Sequence, residues 1–410
     1  MRNPVGIEEV PGPLPHKRFW RSSMIAERPA VWDAEAMRGF FLVLLLGATP
    51  VGAAEKAHLV QPSVYSAMCD ASAAVAASSN LFVAASDEDN VLRVYQSDHP
   101  GPPIKSFDFN AFLEIAGKSP EADLEGAALL GNRAFWIGSH GRNKDGKQSP
   151  NRCRLFATDI TVVDGEPILT PVGRPYKRLL EDLIADSRFN QFHLAEAASL
   201  APKDRGGFNI EGLSATPKGE LLLGFRNPIP NGQALLIPLV NPNEVIEGRA
   251  ARFDPAILLE LGGLGIRDMS YSDGTYIIIA GGWRSGGDFQ LYRWAGHSDK
   301  PEPIALKHFS DYTPEAIILY PGRGLASFQI LSDDGTRPVE GIPCKQVSDS
   351  AHQTFRSFWI SIFIANWPSL SYCELTVVSV IRKSRFAWCL GMPQIPLPPL
   401  TEISVLTGKS

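Results

Sequence analysis

One layout recurs five times along the chain and constrains its fold more than any other feature. Each copy consists of an acidic residue, a small residue, a short apolar segment, a turn, a second apolar segment and a polar loop. The acidic residues that open the five copies are Asp70, Glu125, Glu211, Asp268 and Glu315. Short apolar segments separated by turns rich in Gly, Asn and Asp are typical of the strands of an all-β fold.

The spacing of the copies predicts a β-propeller. Successive openings lie 55, 86, 57 and 47 residues apart, and one propeller blade takes roughly 45 to 60 residues. A third strand is expected after each copy, at residues 91–95, 153–158, 234–239, 289–294 and 355–360. We therefore expect a single propeller with five recognisable blades, in which segment 58–65 supplies the last strand of the final blade and closes the ring.

The longest interval contains an insertion at residues 175–186. Its apolar residues at 176, 179, 180, 183 and 184 have the spacing of a helix, which predicts one helical insertion in the ring. A sixth, degenerate blade within residues 160–205 is the alternative explanation. We therefore expect five recognisable blades, with six as the alternative number.

Residues 37–54 have the features of a secretory signal peptide. They open with Met37 and Arg38, continue with an apolar run and end in small residues. The run is too short to span a membrane, which takes about 20 apolar residues. We therefore expect an exported protein, periplasmic or extracellular, with no membrane span in its mature form.

Two further segments lie outside the propeller domain expected at residues 58–360. Residues 1–36 are rich in Pro, Arg and Trp and lack periodicity. We interpret them as an extension from a start codon placed too far upstream, with a long leader region as the alternative. Residues 361–410 hold no copy of the repeat and form an atypical tail, either an additional segment or the product of a reading-frame change.

The cysteines and the charge exclude two classes of site. None of the five cysteines lies in a Cys or Cys/His pattern with metal-ligand spacing. An oxidising compartment permits one disulfide among Cys69, Cys153 and Cys344, and the sequence leaves the pairing open. The formal net charge is −5, so the chain has no basic surplus for nucleic acid and we expect no nucleic-acid partner.

Four runs of residues carry a family likeness, at 70–73, 86–95, 123–126 and 331–335. They resemble the bacterial family called domain of unknown function 3616, and the likeness covers about residues 58–360. The chain is also similar, more loosely, to the phytase-like and esterase-like secreted propellers, whose blades open with Glu-Gly in the same way. The resemblance implies a propeller fold and export, and it leaves the function open.

Propeller geometry predicts where the polar residues meet. The first strand of a blade lines the central channel and the second runs antiparallel to it, so the opening acid and the polar loop share one face. The five opening acids, Asp70, Glu125, Glu211, Asp268 and Glu315, should therefore ring one mouth of the channel. The polar loops place a mixed set of basic and acidic side chains behind these acids: His140, Arg142, Arg226, Arg284, Asp87, Glu88 and Asp333.

Carboxylates that converge on a small opening repel one another unless they are protonated, paired with Arg or bridged by a cation. An oxygen-rich site of flexible geometry suits Ca²⁺. The alternative is structural, with each acid bonding to the backbone of the neighbouring blade. Likewise, His140, Arg142, Arg226 and Arg284 either bind a phosphate or carboxylate, or the arginines neutralise the acids in an ion network.

The sequence contains no GxSxG, HExxH or phosphate-loop motif, so catalytic residues stay unknown. The leading hypothesis is an exported propeller that binds a small anionic ligand at the channel mouth, with Ca²⁺ as the candidate cofactor. A Ca²⁺-assisted phosphoester hydrolase is the first alternative, with the ion held among Glu125, Glu211, Asp268 and Glu315. A structural module for protein interactions, with a partner still unknown, is the second.

Overall fold

The computed structural model describes residues 56–59, 62–117, 120–284, 286–296, 299–306 and 311–363. The predictions for residues 1–36, for residues 37–54 and for the tail beyond 363 lie outside this part. Within it, five antiparallel sheets form a five-bladed β-propeller, which confirms the expected fold. The described residues begin with two strands that pair with the last described strand, β1 (Lys56–Leu59) and β2 (Ser63–Ser66).

Blades 1 to 4 are four-stranded sheets whose strands follow sequence order from the channel outward. Blade 1 consists of β3 (Ala71–Ala76), β4 (Leu81–Ser86), β5 (Val91–Gln96) and β6 (Lys105–Asp108). Blade 2 consists of β7 (Leu124–Leu130), β8 (Arg133–Gly138), β9 (Leu155–Val163) and β10 (Glu166–Tyr176). Blade 3 consists of β11 (Asn209–Ala215), β12 (Leu221–Asn227), β13 (Ala234–Leu239) and β14 (Ile257–Leu259). Blade 4 consists of β15 (Gly265–Ser272), β16 (Thr275–Gly281), β17 (Phe289–Trp294) and β18 (Glu302–Ile304).

Blade 5 combines both ends of the described chain. It consists of β19 (Pro314–Ile318), β20 (Ser327–Ser332) and β23 (Thr354–Phe363), with β1 and β2 on the outer side of β23. A small hairpin, β21 (Pro338–Val339) and β22 (Ile342–Pro343), lies between β20 and β23 in the chain. The first segment of the chain thus closes the ring as expected and covers an edge that would otherwise be open.

The helices are short and lie between strands. The insertion forms α1 (Leu179–Ala185) and α2 (Leu194–Ala197), and α3 (Pro242–Ile246) follows β13. The described residues also form 3-10 turns at Pro150–Arg152, Ser187–Phe192, Pro230–Gly232, Gly324–Ala326 and Cys344–Gln346. Residues 160–205 hold the outer strands of blade 2 followed by helices, so this segment contains no sixth blade. Among the described residues no helix is long and apolar enough to cross a membrane.

Five hydrophobic clusters fill the five interfaces between neighbouring blades and hold the ring together. Their largest buried side chains include Trp136 between blades 1 and 2, Phe225 between 2 and 3, Trp294 between 3 and 4, Phe328 between 4 and 5, and Tyr65 between 5 and 1. Burying each such aromatic ring removes a large apolar area from water. The first strands of all five blades line one narrow, mostly apolar cavity of about 140 Å³, which identifies the central channel.

One disulfide, Cys69–Cys344, joins the start of blade 1 to the loop before β23. Its Cα atoms lie 5.8 Å apart, and 275 residues separate the two cysteines in the chain. Cys153 is the third candidate and is a free thiol, so the structure resolves the pairing that the sequence left open.

Candidate functional site

Every first strand carries a β-bulge near its start, at the end of the channel opposite the apolar cavity. The unpaired bulge residues, which we call the ring positions, are Ser72, Glu125, Glu211, Arg267 and Glu315. A bulge re-aims the side chain of the extra residue. The expected ring of acids is therefore present in blades 2, 3 and 5 and differs in blades 1 and 4.

The difference is one of register. In blade 1 the ring position is Ser72, and the expected Asp70 lies two residues before it. In blade 4 the ring position is Arg267, and the expected Asp268 lies one residue after it. An alignment on the first acid of each copy could not detect this. In blade 4 a one-residue shift turns the side chain to the other face, and in blade 1 the two-residue shift places the acid before the strand.

Blades 3 to 5 neutralise their acids with arginine. The arginine network consists of Glu211, Arg226, Arg267 and Glu315, all buried. Glu211 accepts a hydrogen bond of 2.7 Å from Nη1 of Arg226 and lies 3.1 Å from Nε of Arg267. Arg267 also forms an ion pair with Glu315 of the next blade. Of the three expected arginines, Arg226 thus neutralises an acid in an ion network, which was the structural alternative for this set.

Asp268 also follows the structural alternative. Its Oδ2 accepts a hydrogen bond of 2.6 Å from the backbone N–H of Ile317 in blade 5. Burial raises the pKa of this carboxyl well above its ordinary value. Asp268 therefore links two blades, and the four-acid calcium bridge expected for a hydrolase is not assembled, since Glu211 and Glu315 are bound by Arg267.

Blades 1 and 2 bring five other carboxylates together at the same end of the channel. We call them the acidic cluster: Asp70, Asp87, Glu88, Asp123 and Glu125. Carboxylate oxygens of Asp70, Asp87 and Glu88 lie within 4.8 Å of one another, and so do those of Asp87, Asp123 and Glu125. Asp87 belongs to both groups, and its Oδ1 is buried without a hydrogen-bond partner.

Two of these carboxylates have a cationic partner among the residues that the structure describes. Arg152 donates a hydrogen bond of 2.9 Å to Asp123, and Lys345 donates one of 3.0 Å to Glu88. Among the described residues no Lys or Arg nitrogen lies within 4.0 Å of Asp70, Asp87 or Glu125. Three carboxylates without a contacting cation in the described part of the chain thus share a small volume, and only the more distant charges of Lys345 and Arg267 oppose their repulsion there.

Burial and mutual repulsion hold protons on the acidic cluster. Burial, with the charge of Asp333, raises the pKa of Asp70 to about 8. Burial raises the pKa of Asp123 to about 6, although Arg152 opposes it. The pKa values of Asp87 and Glu125 lie well above the ordinary range, first because of burial and then because of the neighbouring carboxylates. The cluster is therefore a place where a cation can replace protons.

The disulfide and the end of blade 5 form one wall of the acidic cluster. Asp70 follows Cys69 directly and forms an isolated β-bridge with Asp333. Cys344 precedes Lys345, the partner of Glu88. Gly335 approaches Asp70 so closely that a Cβ there would fall 1.7 Å from its Oδ1. The wall thus depends on a covalent link and on a residue without a side chain.

The side chains of the remaining expected ligand-binding residues make their contacts with groups other than the acidic cluster. His140 is buried with φ 56°, and its Nδ1 lies 2.8 Å from the carbonyl oxygen of Gly138. Burial lowers its pKa to about 4, and its Nε2 has no partner. Arg142 donates to the carbonyl oxygens of Ala198 and Gly146. Arg284 is exposed, and its guanidinium lies 4.5 Å from the centre of the Trp283 ring.

Four residues of the site were missed from sequence: Asp123, Arg152, Arg267 and Lys345. A signal for Asp123 existed, because it precedes the ring position by two residues just as Asp70 does. Arg267 adjoins the acid that was chosen in blade 4. Arg152 and Lys345 lie in loops outside the repeat, and no sequence pattern marks them.

The chain matches one protein family, described as protein of unknown function (DUF3616), over residues 70–160 and 172–319. The matched residues make up more than half of the chain and include all five ring positions and the whole acidic cluster.

No curated protein matches the chain in sequence. Among solved structures, glutaminyl cyclase from Myxococcus xanthus is 11% identical with a TM-score of 0.38, over 76% of this chain and 98% of that one. The PQQ-bound form of aldose sugar dehydrogenase from Streptomyces coelicolor is 10% identical with a TM-score of 0.40, over 76% and 99%. Similarity at this level carries no information about what this chain does.

Proposed function

The chain belongs to the family of proteins of unknown function DUF3616, and we propose that it binds a divalent cation, Ca²⁺, in the acidic cluster together with a small anionic ligand. The observation that carries the proposal is Oδ1 of Asp87. This atom is buried, lacks a partner and belongs to two groups of converging carboxylates. A buried carboxylate oxygen without a donor is costly, and a cation removes that cost.

The donor set favours calcium over zinc. All five side chains of the acidic cluster offer oxygen, and neither His nor Cys belongs to either group. Ca²⁺ accepts six to eight oxygen ligands in flexible geometry, whereas zinc prefers nitrogen and sulfur. Glu88 is exposed, so the cluster reaches solvent on one side and water or a ligand oxygen can complete the coordination.

The anionic ligand would complete the charge balance of the occupied site. A cation with open coordination positions attracts a carboxylate or phosphate, and Lys345 and Arg152 stand beside the cluster as additional donors. Arg226 and Arg142 are less suited to bind the anionic ligand, because their N–H donors are bound to other groups. Ligand binding by His140 and Arg284 stays a prediction.

Calcium titration of the purified domain, by calorimetry and by thermal unfolding, tests the proposal. Saturation at 100 times Kd should stabilise the fold by about 2.7 kcal/mol, and EDTA should reverse the effect. Asp87→Asn should weaken binding at least tenfold. Asp89→Asn is the matched control, because Asp89 lies in the same loop but pairs with Arg93 at 2.7 Å outside the cluster.

The proposal fails if calcium leaves the unfolding temperature unchanged, or if both variants respond to calcium as the unmodified protein does. Adding inorganic phosphate to the calcium-loaded protein tests the anionic ligand, which should bind only when calcium is present. Turnover of p-nitrophenyl phosphate in the same preparation separates binding from hydrolysis.

We also propose that the protein is exported. Support comes from the Cys69–Cys344 disulfide, since structural disulfides persist in oxidising compartments and are rare in the cytosol. Fractionation of cells that express the full chain tests this: the mature protein should appear outside the cytoplasm with its disulfide intact, and retention of the reduced protein in the cytoplasm would refute it.

A further inference from the structure

A second cavity lies at the rim of the ring, between the helical insertion and the loops of blades 3 and 4. We call it the rim pocket; it has a volume of about 540 Å³. Pockets for small ligands usually measure about 300 to 1,000 Å³. No residue of the acidic cluster lines it, so it is a separate site from the proposed cation site.

Two buried side chains at the end of β12 fix the walls of the rim pocket. Arg226 donates to the carbonyl oxygens of Gly282 and Arg284 at 3.1 and 2.8 Å, which holds the loop that carries Trp283. Asn227 donates to the carbonyl oxygens of Pro202 and Asp204 at 3.0 and 2.7 Å, which holds the opposite loop. The walls are therefore held by the interior of blade 3.

The backbone of the lining is also held in an unusual conformation. His193 and Asn231 both line the rim pocket, and both have positive φ, 52° and 53°. Residues other than glycine adopt positive φ at a cost in free energy. They keep this conformation only where the surrounding structure enforces it, and such positions concentrate at binding sites.

The lining of the rim pocket combines apolar ring surfaces with polar side chains and carries few charges. Trp283, Phe192 and Pro228 contribute ring surfaces, and Gln191 and Asn231 contribute amides that both donate and accept. The lining contains one carboxylate, Glu196, and one guanidinium, Arg205. The formal charges of these two groups cancel, and the imidazole of His193 also lines the rim pocket.

We infer that the rim pocket binds a neutral short oligosaccharide. The C–H faces of a pyranose ring can pack on the face of the Trp283 indole that the Arg284 guanidinium does not cover. The hydroxyl groups of the sugar, each both a donor and an acceptor, match the amides and the single pair of charges. This function goes beyond the proposed cation site and does not depend on it.

Calorimetric titration of the full domain with neutral trisaccharides tests the inference. Suitable probes are maltotriose, cellotriose, xylotriose and laminaritriose, and at least one should bind with a Kd in the millimolar range or below. Trp283→Ala should weaken that binding at least tenfold. Asn231→Gly should weaken it severalfold, since glycine keeps the positive φ and only the amide is lost.

Trp359→Ala is the matched control. Trp359 is also half-buried beneath an arginine, with the Arg323 guanidinium 4.7 Å from its ring, but it lies in blade 5. This variant and Asp87→Asn should bind the trisaccharide as the unmodified protein does. If Trp283→Ala fails to fold, Trp283→Phe keeps an aromatic ring and should show an intermediate loss.

The inference is overturned if none of the four probes binds, or if Trp283→Ala and Trp359→Ala weaken binding equally. Failure of the calcium titration alone leaves it standing, because Asp87→Asn separates the two sites.

Discussion

The two sides of the channel's polar end share one backbone design and differ in electrostatics. In the arginine network of blades 3 to 5, Glu211 and Glu315 each face a guanidinium. In the acidic cluster of blades 1 and 2, Asp70, Asp87 and Glu125 lack a cationic partner among the described residues. The acids of the arginine network are thus paired with positive charges, whereas the acidic cluster can still bind a cation.

Two positions in each blade produce most of this difference. The ring positions hold Arg267 in blade 4, and that single cation serves the acids of blades 3 and 5. Two residues before the ring position, blades 1 and 2 have Asp70 and Asp123, whereas blades 3 to 5 have Asn209, Gly265 and Thr313. A repeated backbone therefore does not imply repeated chemistry, because the bulge fixes where a side chain points and not which one it is.

The largest expected effect on stability comes from removing Arg267, the cation that joins Glu211 and Glu315 in the arginine network. Arg267→Met should destabilise the protein by about 3 to 5 kcal/mol, because it leaves Glu211 and Glu315 buried without that partner. Urea unfolding followed by tryptophan fluorescence measures the change.

Arg133→Met is the control for Arg267→Met. Arg133 pairs with Asp159 at 2.8 Å but is partly exposed, so its removal should cost about 1 kcal/mol or less. A loss of stability at Arg267 no larger than at Arg133 would show that the arginine network does not compensate its buried acids.

The same substitution at equivalent ring positions should have opposite effects on the two sides. Glu211→Gln should destabilise by about 1.5 to 3 kcal/mol, since Arg226 and Arg267 lose a charged acceptor. Glu125→Gln should stabilise the calcium-free protein at neutral pH, since Gln is already neutral, whereas Glu125 must take up a proton to enter a buried site beside other carboxylates. Unfolding in EDTA measures both, and losses of equal size would contradict the contrast between the two sides.

The fold was predictable from sequence because its signals repeat. Five apolar strand pairs with turns between them specify five blades, and segment 58–65 closed the ring as expected. The helical insertion at 175–186 was placed close to α1, although residues 175 and 176 end β10 instead.

The site was predictable only in part, because its chemistry depends on register and on loops. Glu125 and Glu211 were assigned to the channel mouth together, but their partners decide their roles. Glu211 faces Arg226, which the same repeat supplies, whereas Asp123 faces Arg152, which lies in a loop outside the repeat. Sequence spacing identifies which acids approach the channel and gives no measure of which cations reach them.

The pH dependence of stability separates the two sides further. The folded protein holds a proton on Asp70 up to a pKa of about 8, whereas the unfolded chain releases it near the ordinary value of 3.8. The folded state therefore binds more protons between these values, and this contribution, fully present below about pH 4, is lost as the pH rises through about 8.

In EDTA, stability should accordingly fall between pH 6.5 and 7.5 by at most about 1.4 kcal/mol for this one proton. Asp70→Asn should make the dependence shallower over this range, and urea unfolding at both values measures it. Calcium should reduce the dependence in the unmodified protein, because the ion replaces the proton. An equal slope in the protein and in Asp70→Asn would contradict the assignment.

The smallest effect on stability is expected at Lys345, which supplies a fixed positive charge beside the acidic cluster. Its pair with Glu88 is half-exposed, so Lys345→Met should change stability by about 1 kcal/mol or less. Calcium should bind severalfold more tightly, since a competing cation is gone, while phosphate should bind the calcium-loaded protein more weakly. Lys177→Met, which removes a comparably exposed lysine paired with Glu114 far from the cluster in sequence, should change neither affinity. Weaker calcium binding in Lys345→Met would contradict this expectation, because it would mean that the ammonium supports the cation site through its pair with Glu88 and does not compete with the ion.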